Sequence, residues 1–367
     1  MVDLKTQYLK IENEIDDAIK EVILDSSFIN GPSVKKFTSQ LEEYLDVKHV
    51  IPCGNGTDAL QIALMSLDLK PGDEVITSTF SFISTAEVIA LLKLKPVFVD
   101  IDKKNFNLIP SEIEKVITSK TKAIIPVHLF GQCAPMENIL TIAKKYNLFI
   151  IEDTAQALGA DYIFSDGSNK KAGTIGTIGT TSFFPSKNLG CYGDGGAILT
   201  NNSKLAEKMK MICNHGSKQK YNHEIVGINS RLDSIQAAIL SVKLKRLKSY
   251  ASLRYESAKL YSEALQNINW IETPYEEPYS QHVYHQYTVK VLNNKRDELK
   301  EHLNALNIPS TIYYPKSFHK QLAFENSKDG SFPNSNDLES KVLSLPMHTE
   351  LDKETILHIV NSIKSFK

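Results

Sequence analysis

The chain is short of most features that would narrow its role at once. Its 367 residues include only four cysteines, Cys53, Cys133, Cys191 and Cys213, which lie far apart and form no CxxC pair. That argues against a zinc site or a disulfide framework and suits a reducing cytoplasm. Neither sign of charge is in excess: 42 basic and 43 acidic residues leave a formal charge of -1. No global field therefore draws the protein to nucleic acid or to an anionic membrane, and any anion it binds must meet a local site. No apolar run approaches the ~18 residues of a membrane-spanning helix. The stretch Met1 to Lys20 carries a charge every few positions where a signal peptide would have an apolar core. There is no GxxxxGK[ST], and no GxGxxG after a strand, so nucleoside triphosphates and dinucleotides lack their usual cradle. Internal repeats and low-complexity linkers are missing too.

What is present is the composition of a soluble globular protein, 42% hydrophobic and 23% charged. The length exceeds what one hydrophobic core usually supports, which predicts a large domain, a smaller one and a cleft between them. Ile11, Ile15, Ala18, Ile19, Val22 and Ile23 recur at helical spacing, predicting a first amphipathic helix that stops near Asn30-Gly31-Pro32. A second helix follows around Val34 to Leu45. Short apolar runs then alternate with helical stretches: His49 to Pro52, Glu74 to Ser78, Pro96 to Val99, Ala123 to Val127 and Phe149 to Ile151. The rhythm predicts an α/β fold, a mostly parallel sheet with helices on both faces. A single long helix from Ser234 to about Leu265 carries the chain out of this unit. Beyond it, a strand at Tyr284 to Val291 and helices at Arg296 to Leu306 and Lys353 to Ile363 suggest a small α+β domain. The expected division is 1–245 and 246–367.

Three segments carry chemistry. Gly54-Asn55-Gly56-Thr57-Asp58-Ala59-Leu60 follows a strand and opens a helix. Glycines there allow close approach and the free amides of a helix start attract phosphate, with the Thr57 hydroxyl as a further donor. The same pattern also serves as a plain turn and cap. Phe149-Ile150-Ile151-Glu152-Asp153-Thr154-Ala155-Gln156 ends an apolar strand in an acid, beyond the carboxyl end where ligands of open sheets bind. Asp153 either holds a proton on a pyridine nitrogen, making that ring an electron sink, or caps a helix. In Thr181-Ser182-Phe183-Phe184-Pro185-Ser186-Lys187-Asn188-Leu189-Gly190, Lys187 stands among aromatic residues and glycines. Burial there would lower its pKa towards the neutral amine that forms a Schiff base; the alternative is a surface lysine in a glycine-rich loop.

Together, Asn-Gly-Thr-Asp-Ala-Leu, Ile-Glu-Asp-Thr-Ala-Gln and Ser-Phe-Phe-Pro-Ser-Lys resemble the DegT family of nucleotide-sugar aminotransferases, a branch of the fold-type I pyridoxal-phosphate enzymes, over nearly the whole chain. The resemblance implies pyridoxal 5'-phosphate as cofactor and Lys187 as both Schiff-base lysine and acid-base. It implies that Asp153 pairs with the pyridine nitrogen, Gln156 lies beside the ring and Phe82 stacks on it. Gly56, Thr57 and Ser182 would contact the phosphate. In Gly227-Ile228-Asn229-Ser230-Arg231-Leu232-Asp233, Asn229 would reach the phosphate of the neighbouring subunit's site, which implies a homodimer with shared active sites. Arg231 is either a ligand contact or an interface salt bridge or helix-start residue. Tyr313, Tyr314 and His319 align with a loop that touches the sugar in relatives, or else pack ordinarily. The branch acting on UDP-2-acetamido-2-deoxy-3-oxo-glucuronate is nearest; it tends to have histidine where this chain has Tyr313, which leaves recognition of a uronate carboxylate open.

The function so implied is ping-pong transamination of a nucleotide-linked keto-sugar with glutamate as amino donor, in surface polysaccharide, lipopolysaccharide or other amino-sugar biosynthesis. A 3-keto UDP-sugar is the first choice and a 4-keto sugar nucleotide the second. A sugar dehydratase on the same fold, or a regulatory protein that kept fold and cofactor, are the rival readings; family dehydratases replace the lysine by histidine. No metal is expected.

Overall fold

The computed structural model describes residues 1–327 and 330–366. Its centre is a seven-stranded sheet of β1 (His49–Cys53), β2 (Glu74–Ser78), β3 (Lys95–Val99), β4 (Thr121–Ile125), β5 (Phe149–Asp153), β6 (Ile178–Ser182) and β7 (Gly196–Thr200), in the order β1-β7-β6-β5-β4-β2-β3. Strand β7 runs antiparallel to both β1 and β6, and every other pairing is parallel. The carboxyl ends of β1, β2, β5 and β6 therefore meet at one edge.

Five of these strands lie where the apolar runs put them, displaced by a residue or two. Two further strands join them: Gly196–Thr200, itself apolar, and Ile178–Ser182, hidden by its composition. Ile178-Gly179-Thr180-Thr181-Ser182 has a single large apolar side chain, yet four of its five residues are buried, because glycine and threonine let it pass close to its neighbours. A Cβ on Gly179 would stand 2.0 Å from the Gly173 carbonyl oxygen. Helices cover both faces. Gly56–Ser66 packs Ala59, Leu60, Ile62, Ala63 and Leu64 against one side; Pro32–Leu45 buries Phe37, Leu41 and Leu45 on the other. The first predicted helix is Glu12–Leu24, with a short additional turn at Leu4–Leu9 before it.

A second, three-stranded antiparallel sheet of Ile271–Glu272, Tyr287–Val291 and Val342–Leu345 has its own core, in which Tyr261, Tyr287, Val289, Leu299, Leu343 and Ile359 pack together. The single helix expected from Ser234 to Leu265 is two, Ser234–Leu244 and Leu247–Leu265, broken at Lys245-Arg246. The first is buried from Ala237 to Leu244 in the large core. The second must send Tyr261 and Leu265 into the other core, and one straight helix cannot serve both. The predicted strand at Tyr284 starts later, at Tyr287. Tyr284 has φ 43°, and the backbone before Tyr287 bonds elsewhere: Val283 N–H donates to the Gly131 carbonyl (2.9 Å) and Gln286 N–H to the Phe130 carbonyl (3.3 Å). Residues 283–286 thus bond to the turn Leu129–Gly131 that follows β4 of the large sheet. No described helix is long and apolar enough to cross a membrane.

Candidate active site

At the carboxyl edge of the sheet a cleft of about 560 Å³ opens, within the usual range of small-molecule sites. It gathers Gly56, Thr57, Phe82, Asp153, Gln156, Ser182, Lys187, Tyr313 and Tyr314, nine of the twelve residues singled out from the sequence.

At one end stands the start of helix Gly56–Ser66. Asn55 caps it, its side-chain oxygen accepting from the Asp58 amide at 2.8 Å. The two amides before that one, of Gly56 and Thr57, have no partner among the described residues and carry the positive end of the helix dipole. Gly56 is required by the approach of β6: a Cβ there would stand 2.7 Å from Ser182 Cβ. The result is two free N–H groups with the Thr57 and Ser182 hydroxyls beside them, a cradle for phosphate.

Asp153 ends β5 and is 4% exposed. Its Oδ2 accepts from Thr85 Oγ1 at 2.8 Å and its Oδ1 from the Ala155 amide at 3.1 Å. Gln156 is held from both sides. Its Oε1 accepts from the Phe130 amide (2.7 Å) and its Nε2 donates to the Tyr314 hydroxyl (3.0 Å). Burial pushes the Tyr314 phenol up, so it stays protonated. Phe82, 55% exposed, forms an open wall.

Lys187 lies on the loop after β6, half-buried along the cleft. Its amine has no hydrogen-bonding or ionic partner among the described residues. Burial lowers its pKa from 10.5 to about 8, against the opposing pull of the Asp153 carboxylate. A fraction of it is thus the free amine at neutral pH, the form that attacks a carbonyl or takes a proton.

Behind the site, Glu152 points to the opposite face of the sheet and is wholly buried. It accepts from the amides of Gly173 (2.9 Å), Ile175 (2.7 Å) and Gly176 (2.6 Å) and pairs with His128 Nε2 (2.9 Å). His128 Nδ1 accepts from the Ala134 amide, which places the ring proton on Nε2, donating to the acid. This network fixes the end of β5.

Three expected residues are not in the cleft. Asn229 is exposed and Arg231 half-buried, in a segment that passes behind the cradle: Ser230 Oγ accepts from the Gly54 amide (2.9 Å) and donates to Asp58 (2.6 Å). His319 does not face the cleft either. Its Nδ1 bonds Thr79 Oγ1 (2.8 Å) and its Nε2 bonds Asn336 (3.0 Å), which leaves neither nitrogen for a sugar and makes the ring a strut between two loops. Conversely, Thr85, His285 and Gln286 were missed. Thr85 lies in the first turn of the helix Ser84–Leu91, three residues past Phe82. His285 and Gln286 were concealed in the predicted strand, although their polarity at the head of an apolar run was a signal.

A half-buried amine with a lowered pKa, a fixed carboxylate and a helix start with two free amides thus line one cleft. The chain belongs to the DegT/DnrJ/EryC1/StrS aminotransferase family, whose profile it matches over residues 9–364. It is 46% identical over 370 residues to a "Pleiotropic regulatory protein" of Geobacillus stearothermophilus, covering 100% of this chain and 98% of the relative. It is 44% identical to the UDP-2-acetamido-2-deoxy-3-oxo-D-glucuronate aminotransferase of Pseudomonas aeruginosa, with 97% and 96% covered. The crystal structure of S. venezuelae DesV in complex with a ketimine intermediate superposes with TM-score 0.94 at 36% identity, covering 99% of this chain and 96% of that one. Pyridoxal 5'-phosphate, the cofactor of this family's aminotransferases, fits the donors present: paired amides for phosphate, a carboxylate for a ring nitrogen and an amine for an aldehyde.

Proposed function

We propose that this aminotransferase moves an amino group from glutamate to a keto-sugar carried on a nucleotide, first a 3-keto UDP-sugar and second a 4-keto sugar nucleotide, as a homodimer in the cytoplasm. The observation that carries the reading is the meeting of Lys187, Asp153 and the Gly56–Thr57 amides in one cleft. The similarity to the named UDP-sugar aminotransferase of Pseudomonas aeruginosa supports the substrate class.

When bound, the cofactor supplies an aldehyde to receive the amino group and a ring to absorb electrons. Lys187 Nζ would hold its aldehyde carbon and, as a free amine, would take a proton from the substrate carbon and give it back. Asp153 keeps a proton on the ring nitrogen, with Thr85 and the Ala155 amide holding the carboxylate in place. Gly56, Thr57 and Ser182 bind the phosphate, and Phe82 covers the ring face. Gln156 is steadied beside the ring by Tyr314. Tyr313 and Tyr314 offer the flat faces and hydroxyls that suit a pyranose.

The dimer accounts for Asn229 and Arg231 lying outside their own cleft, by reaching into the partner's. Ile29 forms a β-bridge with Asp233, and the Ser234 amide donates to the Phe28 carbonyl (2.9 Å). Phe28 and Ile29, 46% and 49% exposed, therefore share a side with that segment as an apolar patch for a second subunit to cover. The four buried, unpaired cysteines suit a reducing compartment. The break at 245/246 is the natural division between the two domains. The product's place is in amino-sugar supply for a surface polysaccharide or lipopolysaccharide.

The test follows the absorbance of the holoenzyme. Glutamate should convert the aldehyde spectrum to the amine form, and a panel of 3-keto and 4-keto sugar nucleotides should restore it, the fastest member naming the substrate. A spectrum unmoved by glutamate contradicts the donor; an amine form that no sugar nucleotide restores contradicts the acceptor and favours a regulatory role.

A further inference from the structure

Residues 283–286 are fastened from all sides. Besides the two backbone bonds to Gly131 and Phe130, Asn188 Nδ2 donates to the Val283 carbonyl (3.0 Å), and Arg254 Nη1 donates to the carbonyls of Tyr284 (3.1 Å), His285 (3.4 Å) and Met347 (3.2 Å). Arg254 is 3% exposed and has no carboxylate partner among the described residues. An uncompensated buried guanidinium is costly, and here it serves to hold backbone. Gly131 lets the segment close: a Cβ there would stand 2.8 Å and 2.9 Å from the amides of Tyr284 and His285.

This rigid segment presents His285 to the cleft wall that also holds Lys187. His285 is 9% exposed, and its Nδ1 is buried without a partner. Neither ring nitrogen is hydrogen-bonded among the described residues, unlike His128 and His319. Burial, then the Lys187 and Arg254 cations, keeps the imidazole neutral by holding its pKa well below the ordinary value. The other charged or titratable groups on the cleft walls are Asp58, Asp153, Asp194, Tyr313 and Tyr314. A neutral imidazole offers one lone pair and one N–H. The amine on the same cleft must carry an extra proton for part of each turnover, and among the described residues no side chain is hydrogen-bonded to it.

We propose that His285 is a further catalytic residue, whose lone-pair nitrogen accepts a hydrogen bond from Lys187 Nζ while that lysine carries the proton taken from the substrate carbon. This rests on the reading of Lys187 given above. In the step, the substrate C–H bond breaks, an N–H bond forms on Lys187, and the electron pair stays with the substrate and its attached ring. His285 neither gains nor loses a proton; it steadies the ammonium until the proton is returned.

The test measures the proton affinity of Lys187 directly, in the cofactor-free full-length protein. Trace labelling with acetic anhydride across pH, read by mass spectrometry of the Lys187 peptide, gives its titration midpoint, expected near 8 in the wild type. His285→Phe removes the acceptor and should lower the midpoint by about one pH unit, the usual scale for a hydrogen bond to a charged group. His285→Gln, which retains an acceptor, should hold it close to the wild-type value. In the holoenzyme, His285→Phe should lower kcat about tenfold with KM little changed, and His285→Gln should recover most of that loss. Equal midpoints in all three proteins, or equal shifts in both variants, overturn the proposal. Should His285→Phe not fold, His285→Leu makes the same comparison at smaller volume. If Lys187 is shown to link to the cofactor while the midpoints coincide, the role of His285 alone fails; if Lys187 does not link, the underlying reading fails instead.

Discussion

Replacing Lys187 by methionine should stabilise the cofactor-free protein at neutral pH, although it destroys the reactive amine. The lysine's pKa falls from 10.5 to about 8 on folding, with burial as the main cause. At about 1.4 kcal/mol per pH unit that is a cost of about 3 kcal/mol. Because the side chain is half-buried, solvent screening reduces it, and we expect about 1–3 kcal/mol. The sign follows from proton binding: between pH 8 and 10.5 the unfolded chain holds more protons on this residue than the folded one, so wild-type stability rises with pH across that window. Below pH 8 the cost is present in full. Methionine fills similar space without the charge. Urea denaturation of both proteins at fixed concentration should show the variant ahead at pH 7, with the gap closing towards pH 10. A variant no more stable than wild type at pH 7, or a gap unchanged by pH, would refute the claim that this amine is held against its preference for water.

Other positions give independent checks. Thr85→Val removes the hydroxyl that donates to Asp153 Oδ2 and should weaken cofactor affinity about tenfold, as read by fluorescence titration, a typical loss for a hydrogen bond to a charged group. Glu152→Gln sets a carboxamide N–H against amide donors in a fully buried site, and urea denaturation should show a loss of about 3–5 kcal/mol. Gly56→Ala drives a Cβ into Ser182 and should cost about 1–3 kcal/mol of overpacking, appearing as reduced affinity for inorganic phosphate as well as for the cofactor.

The parallel strands and the chemistry at their ends were legible because buried parallel strands are written as continuous apolar runs, such as Ala123 to Ile125 and Phe149 to Ile151. The glycine turn at Gly54–Thr57 and Asp153 could be placed since each follows such a run, whereas Lys187 follows the polar strand β6 and was singled out by the residues around it. Less legible were elements whose reasons are long-range. Strand β6 is polar by composition and buried by tertiary contact. The break at Lys245-Arg246 depends on two cores, not on a local breaker. His285 fell within the strand expected at Tyr284 to Val291, and only the clamp of Arg254, Gly131 and Phe130 turns its segment into cleft wall. His319 erred the opposite way: a histidine beside two tyrosines suggested sugar contact, yet Thr79 and Asn336, 240 and 17 residues distant, take both nitrogens.

The most direct measurement is reduction of the holoenzyme with borohydride, followed by peptide mapping. The account predicts that the reduced cofactor is found on the peptide bearing Lys187 and that Lys187→Met leaves no label anywhere. Label on another lysine, or none in the wild-type protein loaded with cofactor, would contradict it.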